Sequence, residues 1–249
     1  PVGGGGLFCG WGGGGGPLVR GVGPPGGGAP PAAGVVVVTG DTKVVERGSA
    51  DQLFITTSGV GVIPPGVELS AGQVKPGDQL LVNGYLGNHG AAILEARGDL
   101  ALESAIESDC APLHELMAAL LAAAPNTRCA RDATRGGLAA VLNEIAVAAR
   151  VGITIEEQRL PLRAEVRGFC EILGLDPLYL ANEGCLAAFV PPLEAEAALA
   201  ALRAHPLGRD AQLIGHAHPQ RPGQVVMETL FGGGRIVDRL VGEQLPRIC

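Results

Sequence analysis

The sequence is poor in aromatic residues: Phe, Trp and Tyr make up 3% of its 249 residues. Its core must therefore be built from Ala, Val, Leu and Ile. It also has no excess of positive charge, with 18 Lys and Arg against 25 Asp and Glu and a net charge of −7. Nothing here neutralises a run of phosphates, which excludes nucleic acid as a partner, and an anionic membrane surface with it. No run of 18 apolar residues is present, so no membrane-spanning helix is expected. A charged segment followed by an apolar stretch and a cleavage site is lacking too, so no signal peptide is expected. The six cysteines, Cys9, Cys110, Cys129, Cys170, Cys185 and Cys249, include no C-x-x-C pair. In a chain of this length that pattern reads as reduced thiols of a cytoplasmic protein, not a disulfide frame or a zinc site.

Residues 1–34 differ from all that follow. They hold 16 of the 40 glycines and 6 of the 19 prolines, and no Asp, Glu or Lys. Such a stretch has too little apolar surface to offset its ordering entropy. Its glycines are unspaced and lack the Lys-Ser/Thr of a phosphate loop. We expect a disordered or artefactual segment, such as GC-rich DNA read out of frame. At Gly34 the character changes. Val35–Val38 reads as a buried strand, followed by a polar turn, Thr39-Gly40-Asp41-Thr42-Lys43, and then Val44-Val45. Asp41 and Lys43 suit either an ordinary hairpin turn or a phosphate with its magnesium, Lys as point charge and Asp as hard oxygen ligand.

Gln79–Asn83 reads as a strand, Gly84 to Gly90 as a glycine-rich loop containing His89, and Ala91–Ala96 as a helix. Backbone N–H groups at such a helix start favour anions. Asp109 or Ser108 can cap the next helix, whose Leu113, Leu116, Met117, Leu120 and Leu121 form one stripe. Residues Arg131 to Leu138 enter another helix. Thr134 reads as its N-cap, and Gly136-Gly137 permits close approach of a ligand or another backbone. The turn Ala181-Asn182-Glu183-Gly184-Cys185 feeds the strand Leu186–Val190, with Glu183 a candidate base or metal ligand and Cys185 a core thiol. His216 and His218 read as exposed loop residues. From Gly232 onward we expect a segment that cannot fold alone, ending in Pro246-Arg247-Ile248-Cys249. Pro246 keeps that end from continuing as a helix.

Taken in order, Thr39 to Val45, Gly87-Asn88-His89-Gly90, Arg131 to Leu138, Ala181 to Cys185 and the terminal Pro-Arg-Ile-Cys resemble one family. It is the HypE family of carbamoyl dehydratases, which help mature NiFe hydrogenases. The wider group is that of aminoimidazole-ribonucleotide-synthetase- and selenophosphate-synthetase-like ATP enzymes. The resemblance covers roughly residues 34–249.

It implies an α/β (α+β), PurM-like two-domain fold. Residues 35–72 would be a remnant of an amino-terminal ATP-binding domain, 73–230 a carboxy-terminal PurM-like domain, and 231–249 a flexible tail with the reactive cysteine. It further implies that a carbamoyltransferase, HypF, loads a carbamoyl group onto Cys249. ATP with Mg2+ then drives dehydration to a thiocyanate, and cyanide passes to iron on a HypC–HypD scaffold complex. Lys43 would be catalytic, neutralising phosphate charge or assisting proton movement, Asp41 would hold magnesium, and Thr42, His89 and Arg135 would lie near the nucleotide. Glu183 would take a proton from the carbamoyl nitrogen. A homodimer is implied too. Residues 1–34 carry no acidic residue, so the acidic ligands that the family has upstream of Thr39 are expected to be missing. The alternatives are a catalytically inactive fragment that only accepts the carbamoyl group or binds partners, and a selenophosphate-synthetase-like ATP enzyme.

Overall fold

The computed structural model describes residues 4–10, 34–46, 48–49, 53–96 and 106–239. The chain divides into two compact units, Pro1–Val67 and Glu68–Cys249. In the first unit, β1 (Gly4–Gly10) lies between β2 (Val37–Val44) and β3 (Leu53–Gly59). It runs parallel to β2 and antiparallel to β3.

Two expectations change here. The seven residues of β1 sit in a sheet, although their surroundings in sequence read as structureless. Glycine keeps its N–H and C=O, so a glycine-rich segment can still fill a ladder position between two strands. Thr39 to Lys43 is also not a turn: Asp41 pairs with Leu7 and Lys43 with Cys9 within one continuous strand. A partner along the whole of 37–44 takes up the backbone groups that a turn would have left to solvent.

The second unit is built on a seven-stranded mixed sheet. Its strands are β4 (Gln79–Val82), β5 (Cys129–Asp132), β6 (Gly152–Glu156), β7 (Leu186–Val190), β8 (Gln212–His218), β9 (Val225–Glu228) and β10 (Gly234–Ile236). Their order is β10-β9-β6-β8-β4-β7-β5. Only β6 and β9 pair in parallel, as the antiparallel register of the other pairs shows. The helices are α1 (Asn88–Ala96), α2 (His114–Ala123), α3 (Gly137–Ala149), α4 (Ala164–Leu173) and α5 (Ala195–Ala204).

Alternation along the strands divides the core in two. Leu80 and Val82 of β4, with Ala187 and Phe189 of β7, pack with Leu138, Leu142 and Ile145 of α3. Leu81, Leu186, Ala188 and Val190 point the other way, onto Leu116 and Leu120 of α2 and Ala198 and Leu202 of α5. Every residue of β7 is therefore buried, which explains why its sequence reads as an unbroken apolar run. A third cluster joins Val166, Phe169 and Cys170 of α4 to Ala91 and Leu180. It carries α1 and the segment leading to Glu183.

The expected free tail from residue 231 is held down further than its composition suggests. Gly232 takes a positive φ of 79° and closes a hairpin from β9 into β10. Val237 is buried, its carbonyl accepts from Asn143 Nδ2 at 2.9 Å, and Tyr179 Oη donates to the Asp238 carbonyl at 2.8 Å. His216 and His218 lie on β8, not in a loop, and His218 Nε2 bonds Thr154 Oγ1 at 3.0 Å.

Candidate functional site

The loops at one end of the second unit converge on Asn182. Its side chain is buried and serves three segments at once. Asn182 Oδ1 accepts from the Gly87 N–H at 2.7 Å, while Nδ2 donates to the carbonyls of Ala133 at 3.1 Å and Leu180 at 3.2 Å. Its own N–H donates to the Ala133 carbonyl at 3.0 Å, and the Ala133 N–H donates to the Cys185 carbonyl at 2.9 Å. The three motifs around residues 87, 133 and 182 are thus tied by one amide. Asn83, at the end of β4, plays a similar part. Its Nδ2 donates to the carbonyls of Gly184 and Leu207, and its Oδ1 accepts from the Leu186 N–H at 2.7 Å.

Glycines make these approaches possible. Gly137, at a φ of 62°, sits where a Cβ would come within 2.5 Å of the Leu178 and Leu180 carbonyls. At Gly184 a Cβ would run into the Asp109 carbonyl. Asp109 Oδ1 in turn accepts from the Glu183 N–H at 3.0 Å. Glu183 itself is half-buried, and its carboxylate has no ion-pair or hydrogen-bond partner among the described residues.

His89 lies in the first turn of α1, not in the preceding loop, and its Nδ1 is 2.8 Å from Ser108 Oγ. The helix start is less open to an anion than the sequence suggested. The Gly87 N–H is taken by Asn182 and the Gly90 N–H by the Ala181 carbonyl. Neither Ser108 nor Asp109 caps α2, whose N-cap is Leu113 with no side-chain bond. They reach instead to His89 and Glu183, because the chain from 106 to 113 crosses these loops before the helix begins. Thr134 does not cap α3 either. Gly136 holds that position in the left-handed region, and Thr134 Oγ1 donates to Asp132 Oδ2 at 3.1 Å. Arg135 is exposed and makes no ion pair with any described residue.

Asp41 and Lys43 are exposed positions two apart on β2 of the first unit, so they share one face of that strand. Thr42 lies between them, with Phe8 as its backbone partner. The structure thus joins His89 and Glu183 through the 106–111 segment, and places Asp41, Thr42 and Lys43 in the other unit. Cys249 lies outside the described residues. Among the described residues no three His, Cys, Asp or Glu converge to hold a metal ion, and no helix is long and apolar enough to cross a membrane. Sequence reasoning missed the part that Asn83, Asn182 and Asp109 play in tying these loops together. The available signal was an Asn at the end of one apolar strand and another shortly before the next, where an unpaired amide would be costly.

Cys185 is buried beside this site, and burial, with the Asp109 charge second, pushes its thiol up to about 12. Burial likewise raises Cys129 and Cys170 to about 11. Cys110 is exposed. Alkylation of the native protein at about pH 8, near the ordinary thiol range, should modify Cys110 and spare Cys129, Cys170 and Cys185 until denaturant is added. The raised thiols favour the neutral form in the fold. Their stabilising contribution is complete below the ordinary thiol range and is lost as pH rises toward about 11 and 12. The urea midpoint should fall across that window, and an unchanged midpoint would contradict the burial of these thiols.

A family model described as AIR synthase related protein, C-terminal domain, matches residues 75–228. Carbamoyl dehydratase HypE of Rhodobacter capsulatus is 68% identical over 212 residues, 85% of this chain and 62% of the relative. The chain thus spans less than two thirds of that relative's length. A crystal structure of HypE in complex with ATP superposes with a TM-score of 0.94 at 43% identity, covering 100% of this chain and 76% of that one. A HypE–HypF complex gives 0.92 at 40% identity, covering 96% and 78%. Likeness of this depth takes in the sheet together with the loops that hold Glu183, and the chain belongs to the HypE family of AIR synthase related proteins.

Proposed function

We propose that this chain serves hydrogenase maturation by dehydrating a carbamoyl group on Cys249 to a thiocyanate at the expense of ATP. The observation that carries this reading is Glu183, a carboxylate with no partner among the described residues on a turn locked by Asn182 and Asp109. That is the state a general base needs. The Cys249 thiolate attacks the carbonyl carbon of a carbamoyl donor, the bond from that carbon to the donor's leaving group breaks and the group departs with the electron pair, and the thiol becomes S–C(=O)–NH2. The carbonyl oxygen then attacks the γ-phosphorus of ATP, ADP leaves, and one N–H proton is released to solvent. Glu183 takes the second proton as the C–O bond breaks, phosphate leaves and C≡N forms. The thiocarbamate has lost the elements of one water, and ATP has become ADP and phosphate.

Transfer of this kind rests on positioning and charge neutralisation. Lys43 serves as a point charge for the phosphates, with Thr42, His89 and Arg135 as further nucleotide contacts. Magnesium commonly keeps waters and substrate phosphates and takes only one or two carboxylates. Asp41, exposed on the same strand face as Lys43, suits that demand. Magnesium, when bound, lowers the negative charge of the phosphates.

HypF as the loading enzyme is supported by its complex with a HypE relative. The same reading takes a HypC–HypD scaffold as iron carrier, a homodimer and a cytoplasmic site. We also assign residues 35–72 to a remnant of an amino-terminal ATP-binding domain, 73–230 to the carboxy-terminal PurM-like domain and 231–249 to the tail that carries Cys249. The last backbone group with a described bond toward the tail is the Arg239 N–H, which donates to Asp238 Oδ1 at 2.7 Å, and the 10 residues that follow span at most about 33 Å at ~3.3 Å per residue.

The test is intact-mass analysis of the carboxy-terminal peptide after incubation with HypF, carbamoyl phosphate and MgATP. A thiocyanate on Cys249, absent in Cys249→Ala, is the expected result. A carbamoyl adduct that goes no further would replace this reading by that of an acceptor alone, and no adduct would overturn both.

A further inference from the structure

We propose that Asp109 is a positioning residue for Glu183, and that the segment 106–111 is the strap that sets the geometry of the site. The inference rests on the reading of Glu183 as the base. Three contacts carry it. Asp109 Oδ1 accepts from the Glu183 N–H at 3.0 Å. The Asp109 carbonyl occupies the space that any side chain on residue 184 would need. One residue earlier, Ser108 Oγ bonds His89 Nδ1 at 2.8 Å and accepts from the Cys110 N–H at 3.2 Å. A short segment thus grips α1 and the Glu183 turn together, although the two lie some ninety residues apart in sequence.

Stability does not explain this carboxylate. Asp109 Oδ2 is buried and has no hydrogen-bond partner among the described residues. Leaving a buried acceptor unpaired is costly. No described residue forms an ion pair with Asp109. What Asp109 does achieve is a fixed backbone at Glu183. A base held by its own main chain must be held at the N–H, since its carboxylate has to stay free for the substrate. Asp109 Oδ1 is the acceptor that does so. Misplacement of a reacting group by about 1 Å can cost ~100-fold in rate, which sets the size of the effect.

The test compares Asp109→Ala with Asp109→Asn in the whole chain, through two readouts. The first is hydrogen exchange at the Glu183 amide. The second is the single-turnover rate of thiocyanate formation on loaded Cys249, with the KM for ATP. Asp109→Ala is expected to speed exchange at least ~10-fold and to slow dehydration ~100-fold with KM unchanged. Asp109→Asn, which keeps an Oδ1 acceptor, should restore both to within a few-fold.

Wild-type exchange or wild-type turnover in Asp109→Ala overturns the proposal. So does Asp109→Asn as slow as Asp109→Ala, since charge rather than position would then matter. Glu183→Gln, run in parallel, separates the two ideas: retained turnover there overturns the base assignment. If loaded chain never dehydrates, the base reading fails, and the exchange rate alone still decides whether Asp109 holds the turn.

Discussion

Replacing Glu183 by Gln should leave carbamoylation of Cys249 intact and slow its conversion to thiocyanate by about 10²–10⁴-fold, the usual contribution of a positioned base. Gln matches Glu in length and shape, so the turn is not expected to move. The Glu183 N–H still has Asp109 Oδ1, and Asn182 still binds Ala133 and Leu180. What is lost is the lone-pair basicity needed to take the nitrogen proton as C≡N forms. On the proposed mechanism, loading takes place at Cys249 and needs no proton transfer to residue 183. Two mass measurements on one sample therefore separate the steps. A variant that still forms thiocyanate at the wild-type rate would remove Glu183 from the chemistry. A variant that fails to load would place residue 183 in partner docking instead.

The second large effect is expected at Asn182. Asn182→Ala leaves the buried Gly87 N–H without its acceptor and the Leu180 carbonyl without its donor. At about 1–3 kcal/mol for each of these two buried groups left unpaired, the loss should be roughly 2–6 kcal/mol. That is a large part of the 5–15 kcal/mol typical of a folded protein. In a chain of this size, at about 2–4 °C per kcal/mol, it corresponds to a Tm lower by roughly 4–24 °C.

Asn182→Asp provides the sharper test. It keeps the Oδ1 acceptor for Gly87 and is nearly isosteric, yet it turns Nδ2 into an oxygen facing two carbonyls at 3.1 and 3.2 Å. A buried charge with no cation is worse than a missing side chain. The Asp variant should therefore melt below the Ala variant at neutral pH and recover part of the difference in acid, where the carboxyl can donate. Thermal unfolding followed by circular dichroism measures this order. An Asp variant more stable than Ala at neutral pH would show that Asn182 is not the hub of these loops.

Local pattern was enough to place most elements of the second unit. Helix patterning located the entry into α3 and the apolar stripe of α2, because their apolar residues recur at helical spacing. Apolar runs likewise marked β4 and β7. The motifs themselves were legible too, down to Glu183, His89 and the glycines that let backbones meet.

Three things were decided only by tertiary contact. Whether 39–43 was a turn or a strand depended on β1, a partner from a glycine-rich stretch that side-chain pattern does not reveal. How far the tail is held depended on Asn143 and Tyr179, which lie 94 and 59 residues from the carbonyls they bind. Most of all, Asp109 and Ser108 look like helix caps when read along the chain and act as a strap when seen in space. Sequence specifies which groups need hydrogen-bond partners. Which partner each one finds depends on distances that close only when the sheet has folded, and at this site those long-range choices place Glu183.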